Sequence, residues 1–197
     1  MRIHETIATL LTVMLSGCVG LTPRFEHGPD IVELESSATP PTGRCRIYDW
    51  RENLMAEGNL VAGKLDGTWS FFGSQSDRLA MLSYENGVLR GPFQMWYGPW
   101  GSPAARGRLK LDGGFVAGRF DGPITRYHPA GPRRSVRIYE RGVLKSTQLW
   151  APDGTEQPAA SAKQQAILDL KADLQYLKGI EENVSKSLAE GRRRIRQ

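Results

Sequence analysis

The sequence contains few of the residues from which metal sites and nucleophilic active sites are built. Its 197 residues include two cysteines and three histidines, and only His128 of the histidines lies in the central part of the chain. These residues do not have the spacing of a metal site. The phosphate-binding, dinucleotide-binding and Gly-x-Ser-x-Gly motifs are also missing. We therefore predict that the protein is not an enzyme and has no catalytic residues, metal or cofactor.

The sequence also lacks the run of about 20 apolar residues that a membrane-spanning helix needs. A shorter apolar stretch, residues 7–15, starts close to the N-terminus and is followed by Ser16, Gly17 and Cys18. A charged start, a short apolar core and small residues at a cleavage point are the layout of a secretory signal peptide. We predict that residues 1–17 are such a signal.

Cys18 directly follows the small residues, and this arrangement resembles the lipobox of bacterial lipoproteins. The resemblance implies that Cys18 is acylated, becomes the first residue of the mature chain and anchors it to a membrane of the cell envelope. Val19 stands where some lipoproteins of the inner membrane have aspartate, so the resemblance implies the outer membrane, facing the periplasm. Cys45 then has no intrachain disulfide partner, and we expect either a buried small side chain or an intermolecular partner.

Residues 18–44 combine this cysteine with a segment rich in proline that shows no sustained hydrophobic periodicity. Such a composition predicts a flexible tether between the lipid and the folded domain. The apolar residues 31–34 leave open a short strand or a docking contact within it.

Residues 45–155 contain an internal repeat marked by pairs of glycines, with serine in the last pair. The pairs are Gly63 and Gly67, Gly87 and Gly91, Gly118 and Gly122, and Gly142 and Ser146. Bulky apolar residues recur at fixed positions after the first three pairs, namely Trp69, Phe93 and Ile124, and then Phe72, Trp96 and Tyr127. Because strands have a period of two and glycine allows tight reversal, each pair predicts a β-hairpin with bulky residues on both faces.

The segment Gly67-Thr68-Trp69-Ser70-Phe71-Phe72, followed by residues 84–91 and by Trp96-Tyr97, resembles the bacterial variant of MORN repeats. That family stacks β-hairpins into an elongated, single-layer twisted sheet, so the resemblance implies a mainly β fold. Relatives with this variant include antitoxin-like and immunity-like proteins, which implies toxin neutralisation as one function. The wider spacing after Gly91 predicts an irregular loop at residues 98–103.

Large aromatic side chains cluster at this loop. Trp96, Tyr97 and Trp100 stand beside Pro99 in a stretch rich in glycine and proline. Interfaces favour such side chains, so we expect these residues either to bind a partner or to cover the sheet face as a lid.

Residues 158–197 have a different character and predict a helix from about residue 160 to 190, because apolar residues recur at alternating steps of three and four. The apolar positions are Ile167, Leu170, Leu174, Leu177, Val184 and Leu188. Their narrow stripe is typical of a coiled coil and predicts self-association or partner binding. Packing on the protein's own sheet is the alternative.

A basic tail follows this helix and supplies most of the net charge of +5, through Arg192, Arg193, Arg194 and Arg196. The tail fits a solvated helix end, whose negative dipole the cations complement. It also fits contact with anionic lipid headgroups or lipopolysaccharide. Nucleic acid fits the charge but not an exported location, so we predict no nucleic-acid partner.

Together these features predict a membrane-anchored periplasmic lipoprotein that acts as a non-catalytic protein-interaction or scaffold module of an envelope complex. Its partner is an unidentified protein or, through the C-terminal helix, a second copy of the chain. A toxin-neutralising, immunity-type protein is the alternative. An envelope enzyme acting on cell-wall glycan is a weaker one, because it needs a carboxylate pair in a cleft.

Overall fold

The computed structural model describes residues 28–73, 75–99 and 103–196, which form an open, twisted sheet and one long helix. The strands are β1 (Ile31–Leu34), β2 (Gly43–Tyr48), β3 (Leu54–Val61), β4 (Lys64–Phe72), β5 (Arg78–Glu85), β6 (Val88–Trp96), β7 (Leu109–Val116), β8 (Arg119–Phe120), β9 (Gly122–Tyr127), β10 (Arg133–Glu140), β11 (Val143–Leu149) and β12 (Arg192–Ile195). Helix α1 (Ala159–Glu190) lies between β11 and β12 in the chain. The sheet is not closed, and the predicted mainly β fold with a C-terminal helix is confirmed.

The strands follow one another across the sheet as hairpins, in the order β11-β10-β9-β7-β6-β5-β4-β3-β2-β1-β12, with the short β8 paired to β7. Each tight turn has two residues with positive φ, which is the geometry that matches the twist of a hairpin. The turn residues are Ala62 and Gly63, Asn86 and Gly87, Ala117 and Gly118, and Arg141 and Gly142. The predicted glycine-marked hairpins are therefore present.

Successive turns are tied to one another by backbone hydrogen bonds. The N–H of Gly87 donates to the Leu65 carbonyl at 2.8 Å, and the turns at Gly118 and Gly142 make the equivalent bond to the turn before them. Asp66 Oδ1 accepts a bond from the Asn86 N–H at 3.2 Å, and Asp121 accepts one in the same way. These aspartates therefore serve to stack the turns.

Helix α1 crosses one face of the sheet from β11 to β1. Its 32 residues span about 48 Å at 1.5 Å per residue, which is enough to cross the nine strand spacings from β11 to β1, about 43 Å at 4.8 Å each. Along this path Asp173 contacts β9, Glu181 contacts β5, and Ser187 Oγ donates to Asp30 Oδ2 at 2.6 Å. We call the face beneath α1 the covered face and the opposite one the open face.

The covered face carries the core. Trp69, Phe93 and Ile124 are almost completely buried there, while Phe72, Trp96 and Tyr127 are half-buried. Cys45 is fully buried as well, and this burial raises the pKa of its thiol to about 12. Of the two roles expected for Cys45, the structure therefore shows that of a buried small side chain.

Both ends of the described chain join the sheet. Residues 31–34 form β1, the short strand that was one of the two possibilities for them, so this part of the predicted flexible tether is ordered. Arg192–Ile195 of the predicted basic tail form β12 parallel to β1. Gly191 makes this possible, because its backbone is extended and an added Cβ would lie 2.4 Å from the Ser187 carbonyl oxygen and 2.8 Å from Val32. The arginines thus form an edge strand and not a solvated helix end.

The predicted signal peptide, Cys18 and Trp100 lie outside the described residues. No helix in the described part of the chain is both long enough and apolar enough to cross a membrane.

Candidate functional site

A buried ion-pair cluster holds the N-terminal half of α1 on β9 and β10. Asp173 contacts Arg126 and also Arg137, whose Nη2 lies 2.7 Å from Asp173 Oδ2. Asp169 lies 3.5 Å from Arg126 Nε and 3.4 Å from Arg134 Nη2. The Arg137 side chain is completely buried and that of Asp173 is 2 % exposed, so water screens their attraction little.

The cluster contains more cations than carboxylates. Lys110 joins the three arginines, with Nζ 5.0 Å from the ring centroid of Tyr176. Burial lowers the pKa of Lys110, and the nearby Arg126 charge adds to that shift. Arg137 Nε and Nη1 have no hydrogen-bond partner among the described residues. Because each of the two carboxylates pairs with more than one cation, a shift of the helix along the sheet would leave buried arginines without their carboxylate partners.

The sequence carried a signal for this cluster that our reading of the repeat missed. Arg126 occupies the repeat position held by Phe71 and Met95, and Arg137 the position held by Leu82. Charged residues at two core positions of one repeat need a charged partner. The sequence offers that partner in Asp169 and Asp173, four residues apart and on one side of a helix.

A regular bulge brings further side chains to the helix. In each of four hairpins the pairing shifts by one residue near the loop end, and the bulged residue stands eight positions before the turn glycine. These residues are Met55, Leu79, Lys110 and Arg134. The first two line a cavity of about 110 Å³ with Val184. The last two belong to the ion-pair cluster.

The predicted apolar stripe of α1 divides between the sheet and solvent. Leu177 and Val184 are buried against the core, with Leu170 and Leu188 packed at its margin. Ile167 and Leu174 are 58 % and 46 % exposed. A straight helix drifts relative to a seven-residue repeat, so one packed face cannot take up the whole stripe. Packing on the sheet thus accounts for four of the six apolar positions of the stripe. Self-association stays a prediction, and it rests on the two exposed positions, Ile167 and Leu174.

The open face carries a band of aromatic and cationic side chains near the loop ends of the strands, that is, the ends opposite the glycine turns. We call it the aromatic band, and it consists of Tyr48, Arg78, Trp96, Tyr127, Arg133 and Trp150. Its arginines lie against its rings. Arg78 Cζ is 5.7 Å from the Trp96 ring centroid, and Arg133 Cζ is 5.0 Å from that of Trp150. Cations at these distances are attracted to the ring face. The band is therefore both apolar and cationic.

Of the three aromatic residues predicted to bind a partner, the structure places two. Trp96 is half-buried in the aromatic band. Tyr97 is also half-buried, and its hydroxyl donates to the Tyr127 carbonyl at 2.7 Å. Burial raises the pKa of Tyr97. The Tyr97 hydroxyl thus links the chain after β6 to the end of β9, whereas Trp96 belongs to the aromatic band on the surface.

The rest of the open face is polar in the middle and apolar at the turn ends. A row of ion pairs at 3.0–3.4 Å runs over the four strands β12, β1, β2 and β3 at one edge of the sheet and consists of Arg194, Glu33, Arg46, Glu57 and Arg44. Although partial burial opposes it, hydrogen bonds from the two arginines hold the pKa of Glu57 below its usual range. A depression of about 280 Å³ beside them is lined by polar side chains such as Asn59 and Thr68. Four valines, 43–59 % exposed, stand directly beside the turn residues: Val61, Val88, Val116 and Val143.

No three histidine, cysteine, aspartate or glutamate side chains of the described residues are grouped to hold a metal ion. His128 lies at a strand end, with Nε2 2.9 Å from the Trp150 carbonyl oxygen. No protein-family model matches the chain, and no curated protein matches it significantly. The resemblances to lipoproteins and to MORN repeats therefore rest on the sequence motifs alone.

Proposed function

We propose that this chain is a lipid-anchored, non-catalytic interaction module of the bacterial cell envelope, and that its open face binds a protein partner. One observation carries the proposal: α1 covers one face of the sheet along its whole width, and no described element covers the other. That other face presents the aromatic band and the four exposed valines.

The chemistry of the open face fits a protein partner. Tryptophan, tyrosine and arginine are the side chains that contribute most to binding at protein interfaces. The band supplies all three, and its arginines favour a partner that brings carboxylates to the loop ends of the strands. The valines at the opposite ends add apolar contact, and the polar depression between the two rows offers hydrogen-bonding groups.

The anchor part of the proposal comes from Cys18, twelve residues before Asp30. A segment of that length reaches at most about 40 Å when extended, so a lipid on Cys18 would keep the sheet close to the membrane. Replacing Cys18 with serine should abolish labelling with a fatty-acid analogue. Unchanged labelling would refute acylation at Cys18 without touching the open face.

The open face is tested by site-specific photo-cross-linking in intact cells. A photo-reactive residue at Thr68, exposed beside the polar depression, should give one discrete adduct. The same residue at Gln175, exposed on α1, is the control and should give none. Trp96→Ala should weaken the Thr68 adduct by tenfold or more, since truncating an interface hot spot costs about 2 kcal/mol or more.

The opposite pattern, an adduct from Gln175 and none from Thr68, would overturn the proposal. The partner in the Thr68 adduct also separates the alternatives. A toxin in that adduct would specify neutralisation, and a second copy of the chain would specify self-assembly.

A further inference from the structure

Strand β12 gives one edge of the sheet a dense positive charge. It is exposed along its whole length, and the three residues Arg192, Arg193 and Arg194 stand in direct succession. Arg194 points to the open face, where it pairs with Glu33 at 3.0 Å. Because successive side chains of a strand alternate, Arg193 points to the covered side. The positive charge therefore spreads around the edge and is not confined to either face.

Most of this charge is not neutralised within the protein. No carboxylate of the described residues lies within ion-pair distance of Arg192, Arg193 or Arg196. Two exposed acids flank the strand: Glu190 at the end of α1, and Glu35, which follows β1 and lines a shallow pocket together with Arg196. The three arginines thus face solvent as free cations.

The same edge is the one from which the chain runs toward its N-terminus. The Arg192 N–H donates to the Asp30 carbonyl at 2.7 Å, and the Arg196 N–H donates to the Leu34 carbonyl at 2.9 Å. Cys18 stands twelve positions before Asp30, so the chain between them can reach at most about 40 Å. A lipid on Cys18 would therefore hold this edge, more than any other part of the sheet, near the membrane surface.

We propose that the β12 edge is a second membrane contact, in which its arginines bind the headgroups of anionic phospholipids. Each cation near an anionic surface increases partitioning about fivefold. The orientation rests on the proposed anchor: the sheet stands edge-on, so both faces stay accessible. Headgroup binding itself does not depend on acylation.

Vesicle co-sedimentation tests this with the full chain carrying Cys18→Ser, so that no acyl chain contributes. Binding is compared between neutral phosphatidylcholine vesicles and vesicles containing phosphatidylglycerol, because the N-terminal apolar segment contributes similarly to both. We expect a strong preference for the anionic vesicles that falls as salt rises. Replacing Arg192, Arg193 and Arg196 with glutamine should reduce this preference about 100-fold.

A matched control removes the same charge from the opposite, turn-end part of the molecule. Lys64→Gln, Arg90→Gln and Arg119→Gln change three exposed cations and should alter the preference several-fold less than the edge variant. Glu35→Gln with Glu190→Gln should increase it. Circular dichroism confirms that each variant is folded.

Equal losses from the two triple variants would overturn the proposal, because net charge alone would then explain binding. The proposal would also be overturned if the edge variant kept its preference for anionic vesicles but began to self-associate. That result would show that the arginines prevent the edge strand from pairing with other chains. Neither outcome affects the open face, whose cross-linking test uses different residues.

Discussion

The two halves of the interface between α1 and the sheet use different chemistry. Under the C-terminal half, Leu177 and Val184 pack on a continuous apolar core. Under the N-terminal half, Asp173 contacts two buried arginines, Arg126 and Arg137. The same helix is therefore held by apolar burial at one end and by directed ion pairs at the other.

The two kinds of contact have different consequences for α1: one strengthens its attachment to the sheet, and the other fixes its position along the sheet. Apolar burial contributes about 1.5–3 kcal/mol for each large side chain, but it has no direction, so a helix could slide along the core with little loss. Buried ion pairs add little net stability compared with apolar residues of the same size, yet they are costly to break and allow few geometries. We infer that the apolar half holds α1 down and that the ionic half sets where along the sheet it lies.

The largest expected effect comes from breaking the ionic half. Asp173→Ala leaves Arg137, which is fully buried, without its carboxylate partner. We expect the free energy of unfolding to fall by about 3–5 kcal/mol, measured by urea denaturation. Asp153→Ala, in an exposed turn, is the control and should change it by less than about 1 kcal/mol. A loss of under 1 kcal/mol for Asp173→Ala would show that the cluster does not hold the helix.

The apolar half should be the next most sensitive. Leu177→Ala removes a buried side chain and should lower the free energy of unfolding by about 2–4 kcal/mol, through lost burial and the cavity it leaves. Leu174→Ala is a matched control on the same helix, because Leu174 is 46 % exposed. Its effect should stay within about 0.5 kcal/mol. Equal effects would contradict the packed orientation of α1.

The close packing at the C-terminal end of α1 is tested by replacing Gly191, with Gly179 inside the helix as the control. Gly191→Ala places a Cβ against the Ser187 carbonyl and Val32, so it should cost about 1–3 kcal/mol and speed amide exchange in β12. Gly179→Ala is the control, because nothing lies within 4 Å of its added Cβ. Alanine there should stabilise the helix by about 0.5–1 kcal/mol. Destabilisation by Gly179→Ala would mean that the helix surface is more crowded than described.

The smallest expected effect depends on pH and comes from Glu181, which lies within the apolar half. Burial raises the pKa of Glu181, although a hydrogen bond from Tyr84 opposes the shift. The folded state thus binds this proton more tightly, and stability falls as pH rises from the usual value toward the raised one. Glu181→Gln removes that cost and should stabilise the protein at pH 7 by less than about 1 kcal/mol, because water screens a half-exposed carboxylate.

The gain from Glu181→Gln should disappear below about pH 4, where the carboxyl is protonated in both states. Thermal unfolding from pH 3 to pH 8 provides the measurement. A gain that is constant with pH would assign the effect to packing and not to charge.

Several parts of the structure could be predicted because their signals are local. The turns at Gly63, Gly87, Gly118 and Gly142 need positive φ, and a few neighbouring residues are enough to specify such a turn. The bounds of α1 follow in the same way from the apolar pattern and from Gly191. For the candidate site, the sequence pointed to Trp96, but it did not show that this ring lies beside Arg78.

Other parts have no local signal. Ile31 pairs with Arg192 across almost the whole chain, and nothing near either residue specifies the other. The stripe from Ile167 to Leu188 is compatible with a coiled coil or with a sheet, because periodicity reports only that one side of a helix is apolar. The choice between the two depends on which surface is within reach when the chain folds.

The amino-acid order by itself determined the hairpins, the long helix and the alternation of large residues between two faces, since glycine geometry and side-chain periodicity act over a few residues. Only the tertiary structure decided that α1 lies across one face, that Asp173 meets Arg126 and Arg137, and that the basic tail becomes the edge strand β12. These contacts join distant residues, and their energy comes from burial and charge pairing that exist only after the sheet has formed.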